Sequence, residues 1–157
     1  MHIKMKKTLI AIMAAAALGC GAELPIANVH SPKYHIGVAT HKYNPDLNFL
    51  DLKYEATTQC LGYSEERAYN WADTFVVDIK GIDGFWCGKK ISPRTGRCNG
   101  LYDLDTNTIM VNENLNALSH ELVHHLAGAG EGTDILATCG DGVDGILNKE
   151  IGAEQIQ

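Results

Sequence analysis

The chain has 157 residues, of which 45% are hydrophobic and 20% charged, so it suits one domain and is neither disordered nor fibrous. A formal net charge of −6 argues against a general nucleic-acid binder. The charge is uneven. Lys4, Lys6 and Lys7 stand in a first stretch without acids, which leaves 10 basic against 19 acidic residues beyond it, a net −9. From Cys98 to the end there is one lysine, Lys149, beside ten carboxylates, and an acidic, His-bearing third of this kind suits a cation.

Residues 1–19 combine those lysines with an uncharged run, Thr8 to Leu18, and read as a secretory signal. The run is too short for a membrane-spanning helix, which needs about 20 residues. Ala17-Leu18-Gly19-Cys20 resembles a bacterial lipobox, with Ala17 where Leu is usual; ordinary cleavage near Ala22 is the alternative. Five cysteines are an odd number. If Cys20 carries a lipid, Cys60, Cys87, Cys98 and Cys139 can close two bridges in an oxidising compartment. The favoured pairing is Cys87–Cys98, which closes a short loop, with Cys60–Cys139 tying the front of the domain to its back. A zinc site of all four cysteines lacks the two-residue spacing that such sites use.

Residues 20–45 read as the lipid-attachment site and a flexible lead-in with one short strand, Ile36 to Thr40; His30, His35 and His41 read as surface histidines. Residues 46–157 form the domain. Leu47 to Cys60 predicts a helix with Leu47, Leu50, Tyr54 and Thr57 or Thr58 along one face and Gly62 as its stop. Ser64 caps a second helix that opens on Glu65 and Glu66 and ends near Asp73. Thr74 to Lys80 predicts a strand. Gly81 to Gly100 is turn-rich. Thr106 to Asn112 predicts another strand, and Asn114 or Asn116 caps a helix from about Ala117 to Ala127 that Gly128 and Gly130 end. Short helical stretches lie beyond it near Ile135 and Ile146, broken by Gly140, Gly142 and Gly145.

His120-Glu121-Leu122-Val123-His124 is an H-E-x-x-H pattern. Residues four apart share a helix face, so the two imidazoles can take one Zn²⁺. At about 100° per residue, Leu115, Leu118, Leu122 and Leu126 make one stripe and the two histidines lie nearly opposite, with Glu121 beside them. Such a helix buries one face and offers the other to a cleft. His125 lies near the leucine stripe and reads as a partly buried, hydrogen-bonded histidine. Tyr102 could stabilise an oxyanion, though nothing in the sequence places it there.

Strand and helix together, T-I-M-V-N-E-N-L-N-A-L-S-H-E-L-V-H-H-L, resemble the zincin metallopeptidases, over roughly residues 74–139. The resemblance implies that His120 and His124 ligate zinc and that Glu121 is the general base for its water. It implies too that the strand around Ile109 to Val111 runs along the cleft and pairs with an extended peptide. The third ligand is open. The metzincin continuation fails after His124. Gly130-Glu131-Gly132-Thr133-Asp134 resembles the aspzincin G-T-x-D stretch with its Asp one residue early, so Asp134 ranks first, with Thr133 capping a short helix that presents it. Glu131, Glu150, and Asp141 or Asp144 rank behind it.

The expected fold is a small α+β, zincin-like domain with a short mixed sheet packed on the H-E-x-x-H helix. The expected function is an exported zinc metallopeptidase acting on peptide or protein substrates, a monomer without a nucleic-acid partner. It is held at the bacterial cell envelope through Cys20, or else secreted. The alternative is an inactive zincin-like envelope lipoprotein with a binding or structural role.

Overall fold

The computed structural model describes residues 24–81, 84–86 and 97–154. The expected signal, Cys20 and Cys87 lie outside them. In chain order the elements are β1 (Val29–His30), β2 (Gly37–Ala39), α1 (Leu47–Cys60), α2 (Glu65–Ala72), β3 (Val76–Lys80), β4 (Phe85–Trp86), β5 (Arg97–Cys98), β6 (Gly100–Asp103), β7 (Thr108–Asn112) and α3 (Leu118–Ala127). A π-helical segment, Leu136–Gly142, then runs into α4 (Val143–Glu154).

The β-branched runs make the centre of a five-stranded mixed sheet of order β1-β2-β3-β7-β6. β3 pairs in parallel with β2 on one side and with β7 on the other. Alternation along the strands then sorts the side chains. Val77, Ile79, Ile109 and Val111 are fully buried in one cluster with Leu50 and Tyr54 of α1 and with Leu118, Leu122 and Leu126 of α3. Asp78, between two of these positions, turns away and meets Lys80 Nζ at 2.6 Å and His41 Nε2 at 2.8 Å. Helices on one face of a mixed sheet make this an α+β domain, as expected.

Caps explain the first two helices. Asp46 accepts from the backbone N–H groups of Asn48 and Phe49, and Ser64 from that of Arg67. Cys60, at the end of α1, is bonded to Cys139 in the π-helical segment. That pairing agrees with expectation and removes both cysteines from any all-cysteine metal site. Cys98 is also disulfide-bonded.

Three expectations change. Residues 29–39 are not a loose lead-in: β1 and β2 belong to the sheet, and Tyr34, Ile36 and Val38 are core residues. Their period-two alternation outweighs the surrounding polar residues and prolines. The end of the chain is not a pair of short helices broken by glycines, since the π-helical segment runs straight into α4. Gly140 serves close packing there, because a Cβ on it would lie 3.0 Å from His120 Cα. Finally, neither Asn114 nor Asn116 caps α3. Its N-cap is Ala117, which offers no side-chain acceptor.

Candidate metal centre

α3 carries its apolar stripe into the core and leaves His120 and His124 half-buried at a cleft of about 610 Å³. Gly128, at φ 60°, ends the helix in the left-handed region and turns the chain back past the histidines. Both rings are thereby fixed. His124 Nδ1 lies 2.6 Å from the carbonyl oxygen of Ala129. His120 Nδ1 lies 2.7 Å from Asp141 Oδ1, delivered by the π-helical segment. A carbonyl can only accept, so His124 carries its proton on Nδ1, and the Asp141 carboxylate selects the same tautomer for His120.

The two Nε2 atoms then face each other across 3.1 Å. Glu131 Oε1 lies 3.3 Å from His124 Nε2 and 3.6 Å from His120 Nε2. Three atoms that each offer a lone pair stand this close only with a proton or a metal ion among them. Zinc–nitrogen bonds of roughly 2.0–2.1 Å at a tetrahedral angle would set two ligand atoms about 3.3 Å apart. The observed edges of this triangle match that spacing, and the donor set of two imidazoles and a carboxylate is one that zinc accepts. Each imidazole also has the outer hydrogen-bond partner that metal-ligating histidines require.

Glu121 is buried between α3 and β6. Burial pushes its carboxyl up to about 7, against the pull of the His120 and His124 charges and of a hydrogen bond from the Tyr102 backbone N–H. Room for it comes from Gly100, where a Cβ would fall 2.6 Å from Glu121 Oε1 and 2.8 Å from Ala117 Cβ. Burial pulls His120 down, but Asp141, Glu121 and Glu131 outweigh it and leave that ring easier to protonate than a free histidine.

His120, His124 and Glu131 come together as the group able to hold a metal among the described residues. Asp134, ranked first for the carboxylate, is not in that group: it is exposed, at the entry to the last helical stretch. The chain reverses at Gly128 and Gly132, which brings Glu131 to the histidines before Asp134 is reached. Thr133 does not cap; its hydroxyl donates to Gly130 O at 2.9 Å. Asp141 holds the far nitrogen of His120, and Asp144 is buried against Lys53. Glu150 is exposed on α4. His125 is hydrogen-bonded as expected, 3.0 Å from both the Tyr102 hydroxyl and Thr74 Oγ1. The Tyr102 hydroxyl also donates to Asn107 Oδ1, so it is engaged on both sides.

The strand along the cleft is β6, not the one around Ile109 to Val111. β7 is enclosed between β3 and β6, whereas β6 ends the sheet among the described residues. A signal for this exists in the chain: Gly100 to Asp103, a turn through Asn107 at φ 49°, then the β-branched β7 is a hairpin pattern. Gly100 itself reads in sequence as part of a turn-rich stretch, and only packing shows what its missing side chain allows. Compared with models of known families, with curated proteins and with solved structures, the chain matches none.

Proposed function

We propose that this chain is a zinc-dependent metallopeptidase in which His120, His124 and Glu131 hold the metal and Glu121 moves the proton. One observation carries the reading: two imidazole Nε2 atoms 3.1 Å apart, each ring fixed through Nδ1, with a carboxylate oxygen beside them. A zinc ion in such a donor set polarises a carbonyl and lowers the pKa of water to about 7. Glu121, buried beside the cleft and one residue from a proposed ligand, would take a proton from the attacking water and return it to the leaving amine. β6 is the edge strand of the sheet among the described residues; its Tyr102 N–H is held by Glu121, and the rest of its outer edge is where an extended peptide would add as a further strand. Export to an oxidising compartment is supported by the N-terminal lysines and apolar run and by the Cys60–Cys139 bridge. Anchoring through Cys20 is part of the same proposal.

The test is Glu121→Gln measured beside His120→Ala. The first keeps one zinc per chain and loses hydrolysis of unfolded protein, by at least about 100-fold. The second loses the metal. Full activity in Glu121→Gln overturns the mechanism. Zinc without turnover in the wild type, on any peptide offered, makes the chain a metal-binding envelope protein instead.

A further inference from the structure

The first turn of α3 has no cap of its own, yet its amides are not left bare. Asp144 reaches in from α4: its Oδ1 accepts from the Ser119 N–H at 3.1 Å and its Oδ2 from the His120 N–H at 3.0 Å. Leu118 N and Glu121 N bond to the Leu115 and Ala117 carbonyls, so the opening turn is complete. Lys53 of α1, whose side chain is wholly buried, donates from Nζ to Asp144 Oδ1 and, at 2.8 Å, to the carbonyl of Leu115. Leu115 is itself in the left-handed region, at φ 58°, where a branched residue is uncommon. One buried ion pair therefore holds the strained turn before α3 with its cation and the amide of a proposed zinc ligand with its anion.

We infer that Lys53 and Asp144 are positioning residues for His120, fixing the start of α3 so that its imidazole meets that of His124. The inference rests on the metal reading of His120, His124 and Glu131. A pair that served stability alone could be exchanged for neutral groups of similar volume at little cost. A pair that aims a ligand could not be exchanged without weakening the metal.

The experiment titrates zinc into metal-free wild type, into Lys53→Met combined with Asp144→Asn, and into Ile36→Val, a core truncation outside α1, α3 and α4. The double variant removes both charges, so no lone buried ion remains. Expected are a folded double variant with zinc affinity about tenfold or more below wild type, an altered absorption band when cobalt replaces zinc, and an Ile36→Val control that binds as wild type does. A folded double variant with wild-type affinity and cobalt spectrum overturns the inference. Wild type that binds no zinc overturns the metal reading instead. If the double variant does not fold, amide exchange in metal-free wild type decides: Ser119 and His120 are expected to exchange as slowly as Leu122 within α3, and exchange as fast as that of the exposed first turn of α2 overturns the inference.

Discussion

The two sides of the candidate centre are built to different standards. On the helix side, His120, Glu121 and His124 stand on a helix whose apolar face is locked in the core and whose first turn is held by Asp144. On the loop side, Glu131 sits between Gly128 and Gly132, with its side chain 78% exposed. The helix places its groups before any metal arrives. The loop can adjust its carboxylate around whatever the helix presents. A rigid pair with an adaptable carboxylate beside it fixes the candidate site where the chain is buried and leaves freedom where it is solvated.

Truncation separates the two sides most sharply. His124→Ala is expected to abolish stoichiometric zinc in protein purified without added metal. Glu131→Gln is expected to weaken zinc by about tenfold to 100-fold, a ratio of the size seen when metal-site partners are lost. Equal losses in both variants, measured by competition with a chelator, would show that the loop contributes as much to the metal as the helix does.

Removing the covalent tie comes next. Cys60→Ser with Cys139→Ser opens a link between residues 79 apart in sequence and should cost about 2–4 kcal/mol in urea unfolding. Because Cys139 shares the π-helical segment with Asp141, zinc affinity should fall in the same variant. A stability loss with unchanged affinity would restrict the bridge to holding the fold together.

Gly100→Ala probes the helix side from β6. The added methyl meets Glu121 and Ala117, so overpacking of about 1–3 kcal/mol is expected, with turnover reduced more than zinc binding. Unchanged turnover would mean that Glu121 does not need its present seat. The smallest effect belongs to Asp134→Asn. An exposed acid outside the metal group should change stability by no more than about 0.5 kcal/mol and leave zinc affinity as it was. Loss of zinc there would return the third ligand to Asp134.

Features set by local periodicity can be read from the chain alone. The limits of α1, its leucine-lined counterpart α3, the strands β3 and β7 and the shared face of His120 and His124 all come from repeats of two or about 3.6 residues. Cys60–Cys139 is legible only once the other cysteines have been paired off. Tertiary structure decided everything that joins distant segments: Glu131 rather than Asp134 beside the histidines, Asp141 and Ala129 on their outer nitrogens, β6 at the cleft, and a helix cap supplied from 24 residues away. Spacing along a chain specifies which residues share a face. It does not specify where a glycine-rich loop closes, because that depends on which buried surfaces the loop must bring together.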